Sequence, residues 1–80
     1  MARVRLLYFA SLREATGRDS EAFDSEGPDL AALYRDVAAR HGLQWPRERL
    51  RVAVDGAFAR WDDAVRDGSE VAFIPPVSGG

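Results

Sequence analysis

Eighty residues, 46% hydrophobic and 30% charged with a net charge of −2, suffice for one soluble domain with one modest core and leave no room for a second. The acidic balance argues against nucleic acid as a partner, no apolar run approaches the ~20 residues that cross a membrane, and no signal-peptide segment precedes the first strand, so a cytoplasmic protein is expected. With no cysteine there is no disulfide, thiolate nucleophile or cysteine-based metal site, and the core must hold by packing alone.

Arg3 to Phe9 alternates, with Val4, Leu6 and Tyr8 on one face and Arg3, Arg5, Leu7 and Phe9 on the other, which predicts a strand whose second face ends apolar. Ser11-Leu12-Arg13-Glu14 has capping-box spacing and Gly17 stands where a short helix would stop, predicting a turn or two of helix over 11–16. Ser20 to Asp24 reads as a weaker strand around Ala22 and Phe23, pairing with the first like a hairpin. The chain breaks at Ser25-Glu26-Gly27-Pro28, and Asp29 is a good N-cap for a helix starting at Leu30. Leu30, Leu33, Tyr34, Val37, Ala38 and His41 then form one helical stripe, closed by Gly42. Leu43 to Leu50 reads as a crossing loop with a helical turn after Pro46. Leu50 to Val54 alternates again, and Asp55-Gly56 makes a tight turn into Ala57-Phe58-Ala59. Trp61, Ala64 and Val65 are expected to enter the core from an irregular segment, and Asp67-Gly68 turns the chain into a final strand, Glu70 to Ile74.

Strand, short helix, strand, long helix, loop, hairpin and final strand is the order of an α+β domain of the β-grasp, ubiquitin-like kind, with a mixed sheet curled over one main helix. In that layout the first and last strands are parallel neighbours in mid-sheet. The expected division is a domain over 1–76 and a protruding, flexible tail over 77–80.

A search for catalytic groups in the folded part returns little. His41 is the only histidine and sits in the last turn of the main helix, where a cation is favourably placed. Asp62-Asp63 follows Trp61 in a turn with no third ligand at metal spacing, so no metal site is expected. Arg47, Glu48, Arg49 and Arg51 read as a solvent-facing run, and Gly56 and Gly68 are isolated turn glycines rather than a phosphate cradle. All eleven basic residues are arginine, so the chain offers no ε-amine for a Schiff base or for isopeptide attachment to its own kind.

What remains is a surface and an end. If Val71 and Phe73 face the helix, Ile74 faces away, as do Leu7 and Phe9 by the same parity and Phe58 on the hairpin. This apolar patch favours a docking face over a small second core. Beside it Pro75-Pro76 cannot donate to a sheet ladder and holds the chain extended, leading through Val77 and Ser78 to Gly79-Gly80, whose carboxylate no Cβ shields. Gly-Gly alone is equally compatible with a frayed end, a linker or a cloning scar; the rigid lead-in from a strand favours a functional terminus.

Tyr8-Phe9-Ala10-Ser11-Leu12-Arg13-Glu14, Asp67-Gly68-Ser69-Glu70-Val71-Ala72 and Phe73-Ile74-Pro75-Pro76-Val77-Ser78-Gly79-Gly80 together resemble the small, sulfur-carrier subunits of molybdopterin synthase. The resemblance spans the chain in element order. It implies that an ATP-dependent E1-like activating enzyme adenylates Gly80, that the acyl-adenylate becomes a thiocarboxylate, and that the tail enters the large synthase subunit to give sulfur to a cyclic pyranopterin precursor. It further implies a heterotetramer, with Gly79, Ser78 and Val77 in the partner's channel and Phe9, Phe58, Ile74, Pro75 and Pro76 at the interface. No cofactor is expected on this chain itself; ATP belongs to the activating enzyme and the pyranopterin to the large subunit. Two rivals share the fold and the Gly-Gly end: a thiamine-type sulfur carrier, and a ubiquitin-like modifier conjugated to lysines of other proteins. A plain binding module with an inert tail is the third.

Overall fold

In the computed structural model, which describes residues 2–76, strand β1 (Ala2–Tyr8) and strand β5 (Glu70–Ile74) run parallel side by side, with Leu6 opposite Val71 and Tyr8 opposite Phe73. Strand β2 (Ser20–Ser25) pairs antiparallel on the outer side of β1, and strands β3 (Arg51–Val54) and β4 (Ala57–Ala59) continue the sheet beyond β5, giving the order β2-β1-β5-β3-β4. Helix α1 (Ala10–Thr16) links β1 to β2, and helix α2 (Leu30–His41) covers one face of the sheet. A single 3₁₀ turn, Arg47–Arg49, follows Pro46 in the crossing loop. This is the expected β-grasp arrangement. No helix among the described residues is long and apolar enough to cross a membrane.

The alternation of β1 decides what the sheet buries. Val4, Leu6 and Tyr8 lie beneath α2 together with Val71 and Phe73, and α2 contributes Leu30, Leu33 and Val37, none of which retains measurable exposure. Asp29 caps α2 by accepting a hydrogen bond from the Ala32 amide at 2.9 Å, and Gly42 ends it in the left-handed conformation at φ 66°. Tyr34 is anchored at the other edge of the core, its ring 5.1 Å from Phe73 and its hydroxyl donating to the Trp45 carbonyl at 2.5 Å.

Two local expectations are overturned. The Ser11 capping box does not form: Phe9, at the extended end of β1, is the N-cap and its carbonyl accepts from the Leu12 and Arg13 amides. The turn into α1 is made at Ala10, with φ 49°, so Ser11 already lies inside the first turn and cannot cap it. Ala64 is exposed rather than buried. It forms an isolated bridge to Asp29, an edge role that turns its methyl outward while Trp61 and Val65 pack against the core.

A polar cluster at one end of the core was not foreseen. Glu21 on β2 accepts hydrogen bonds on the same oxygen from the Tyr8 hydroxyl and from His41 Nε2, at 2.5 and 2.6 Å, and its other oxygen faces Arg18 at 3.3 Å. His41 therefore ties the last turn of α2 to the edge strand in addition to sitting at the helix C-terminus. Burial alone would push the Glu21 carboxyl up, but hydrogen bonds from Tyr8 and His41, with the attraction of His41 and Arg18, outweigh it and hold the group below its ordinary 4.5. The same burial and the Glu21 carboxylate push the Tyr8 hydroxyl far upward, so it stays a donor throughout the ordinary pH range.

Two stability measurements can check this core. Leu33→Ala should cost about 2–5 kcal/mol in urea unfolding, a large share of what an 80-residue domain has. Because Glu21 releases its proton more readily folded than unfolded, its contribution is complete above about pH 5 and is lost as acid takes the pH through the folded value. The stability gap between the wild type and Glu21→Gln should accordingly shrink on acidification from pH 6 to pH 3, read as urea midpoints at each pH.

Candidate docking face

The face of the sheet away from α2 is set by strand register. Ala53 on β3 lies opposite Ala72 on β5 and opposite Phe58 on β4, and Ala72 in turn lies opposite Leu7 on β1, so these four side chains share the open face. Two alanines at the centre with Leu7, Phe9, Phe58 and Ile74 around them leave a hollow of about 250 Å³. Small side chains in the middle strands and large ones on the flanks make the face concave.

Each large residue is held out for a local reason. Phe58 follows a two-residue turn in which Asp55 and Gly56 both have positive φ, 51° and 86°, the twist that matches a tight hairpin. The hairpin is locked to β5 by reciprocal bonds, Asp55 amide to Glu70 carbonyl at 2.8 Å and Glu70 amide to Asp55 Oδ1 at 2.9 Å. Phe58 consequently stands 68% exposed, with the Arg51 guanidinium 5.6 Å from its ring. Phe9 is 47% exposed because its backbone serves as the cap of α1, which turns its ring off the end of the strand. Glu70 marks the rim. An apolar, concave patch with Glu70 and Arg51 at its edge has the form of a protein–protein contact, and no second core covers these rings among the described residues.

A second hollow, about 420 Å³, adjoins the first and shares Phe9 and Ile74 as a wall. Its other sides are Ala10 and Ser11 of α1, Trp45 of the crossing loop, and Pro75 and Pro76. Of the five residues expected at an interface, the structure brings Phe9, Ile74, Pro75 and Pro76 around this hollow and Phe9, Ile74 and Phe58 around the first. Pro75 is buried within the chain itself, because it follows directly on β5 into the interior edge of the hollow, while Pro76 is exposed. Val77, Ser78, Gly79 and Gly80 lie outside the described residues.

Sequence reasoning missed Ala53, Ala72 and Trp45. The same parity that placed Leu7 outward would have placed the two alanines on the open face, had small residues been counted as a hollow. Trp45 carries no periodic signal in its loop. Asp62 and Asp63 are exposed, Asp62 paired with Arg60 and Asp63 accepting from the Arg60 amide, as a solvated turn requires. Among the described residues no three acids or histidines converge where they would hold a metal ion. Among the described residues, the folded surface thus presents an apolar place to dock beside the point where the chain continues beyond Pro76.

The chain is 36% identical, over 96% of its length and 99% of the relative's, to the molybdopterin synthase sulfur carrier subunit of Escherichia coli K12. Its fold matches SAMP1 from Haloferax volcanii with a TM-score of 0.80, at 24% identity over 99% of this chain and all of that one. It also matches a chain in the complex of subunits 1 and 2 of molybdopterin-converting factor from Helicobacter pylori, with a TM-score of 0.66 at 19% identity over 98% and 99% of the two chains. The family model described as the ThiS family matches residues 6–80, nearly the whole chain, and the protein belongs to that family.

Proposed function

We propose that this protein is the sulfur carrier of molybdopterin synthase, acting in molybdenum cofactor biosynthesis. The observation that carries the reading is the junction of a parallel central strand, an apolar docking face and a diproline lead-in, in a chain 36% identical over nearly its full length to a relative named for that role. In this reading Gly80 is the reacting residue. A carboxylate is a poor acyl donor until its oxygen belongs to a good leaving group, so adenylation by an ATP-dependent activating enzyme comes first and sulfur then displaces the adenylate to give a thiocarboxylate. Gly79, Ser78 and Val77 line the path into the partner, and the absence of side chains on the last two residues lets the terminus enter a narrow channel.

Phe9, Phe58 and Ile74 supply the contact with the large subunit, where the pyranopterin precursor is bound; the Helicobacter pylori neighbour was itself solved as a complex of the two subunits of its converting factor. A heterotetramer and a cytoplasmic setting complete the reading. In this reading the chain supplies the carrier terminus and the partners supply catalysis. The thiamine-type and modifier readings share the fold, but the named relative of high coverage supports the molybdopterin branch.

Intact mass of the protein after incubation with its activating enzyme, ATP and a sulfur source should rise by the difference between sulfur and oxygen, localised to Gly80 by fragmentation. An unchanged mass with adducts on lysines of other proteins would instead establish a modifier. Phe58→Ala should weaken binding to the large subunit about tenfold or more, while shifting unfolding by less than about 0.5 kcal/mol because the ring is exposed in the free chain. Isothermal titration and urea unfolding of the same sample read both.

A further inference from the structure

We propose that Arg51 is the residue by which the docking face selects its partner, the large synthase subunit, through a carboxylate on that subunit which the guanidinium meets when the groove is covered. The inference rests on the sulfur-carrier reading and deepens it, naming what the partner's surface must carry.

Arg51 opens β3, and the antiparallel register sets it opposite Ile74 on β5. Successive side chains of a strand point to opposite faces, so Arg51 shares the open face with Ala53, while Val52 between them is buried in the core. The guanidinium lies 5.6 Å from the Phe58 ring. The cation therefore stands at the edge of the groove between Phe58 and Ile74, both of which line its hollow. Other surface arginines are paired within the chain, as Arg3 is with Asp24 at 3.2 Å and Arg60 with Asp62 at 3.4 Å. No carboxylate among the described residues comes within ion-pair distance of Arg51.

In the free chain Arg51 is exposed, and water satisfies its donors. Docking changes this balance. A partner that covers Phe58 and Ile74 also covers the cation between them, and a guanidinium taken out of water without an acceptor is strongly unfavourable. The group that matches it is a carboxylate, which accepts two parallel N–H bonds from the planar fork. Stacking on the Phe58 ring holds that fork near its place beforehand, so less side-chain freedom is lost on docking.

The groove is also polarised. Glu70 lies four residues before Ile74 on β5, about 13 Å along the strand, and borders the other end of the hollow beside Gly56. Arg5, opposite Glu70 on β1, is bonded toward β2 through Ser20 Oγ at 3.0 Å, and it makes no ion pair with Glu70. An acidic group on the partner is drawn to the Arg51 end and repelled from the Glu70 end, which fixes the way round in which the subunit sits.

The test is isothermal titration of the purified large subunit with the wild-type carrier, Arg51→Lys, Arg51→Met and Arg51→Glu. Arg66→Glu, exposed and outside the groove, makes the same change in net charge as Arg51→Glu and serves as the control. Circular dichroism and urea unfolding establish that each variant is folded; should Arg51→Glu fail to fold, the comparison of Met with Lys decides. Arg51→Met should bind about ten- to hundredfold more weakly than wild type because it leaves the partner's carboxylate unpaired, with Arg51→Lys between the two, Arg51→Glu weakest, and Arg66→Glu within about threefold of wild type. Arg51→Met binding as tightly as wild type overturns the proposal, as does Arg51→Lys binding no better than Arg51→Met, which would make the side chain a packing contact. An equal loss in Arg66→Glu and Arg51→Glu also overturns it, by reducing the effect to net charge. If the same series loses affinity only for the activating enzyme, the proposed occupant is wrong. A wild type that does not bind the large subunit at all would instead overturn the carrier reading itself, so the two failures are distinct.

Discussion

The parallel pairing of β1 with β5 is the constraint on which the rest of this molecule depends. Parallel neighbours cannot be joined by a tight turn, so everything between residues 9 and 69 must cross over and return, and α2 is the element that makes the return by covering one face of the sheet. The pairing also puts the end of the last strand at the sheet's centre, flanked on both sides by hydrogen-bonded strands. A segment that leaves from there has a root held to the core by Leu6, Val71 and Phe73, none of which retains measurable exposure. The rigidity of the departure point is thus the rigidity of the whole domain.

The two faces of the same sheet do different work because side chains on neighbouring positions point oppositely. Val71 and Phe73 join the core; Ala72 and Ile74, one residue along in each case, line the outer hollow. A large residue at either Ala53 or Ala72 would fill that hollow, so its concavity rests on the smallness of two side chains in register. Apolar surface left open in this way is costly for a free monomer and marks the face as a candidate for docking.

The Tyr8–Glu21–His41 cluster shows how a small core handles its polar edge. A buried carboxylate with one partner would destabilise the fold; with two hydrogen bonds and an arginine nearby it links β1, the edge strand β2 and the end of α2. It lies away from the docking groove, whose lining contains none of the three residues, so the groove can stay apolar while the fold keeps a specific polar lock elsewhere.

Most of the fold was legible because short-range rules decide it. Alternation in residues 3–9 and 70–74, the stripe from Leu30 to His41, the Asp29 cap and the Asp55-Gly56 turn are each written within a few residues, and Phe9, Phe58 and Ile74 came from parity. The sequence by itself therefore determined the element order, the buried and open faces and the apolar character of the docking side. The tertiary structure alone decided the rest. Glu21 meets His41 across 20 positions, Tyr34 holds Trp45 through a loop, and Ser11 loses its cap because the chain turns one residue earlier, at Ala10. Such contacts depend on where separate elements come to rest against one another, and no periodicity within a single segment encodes that distance.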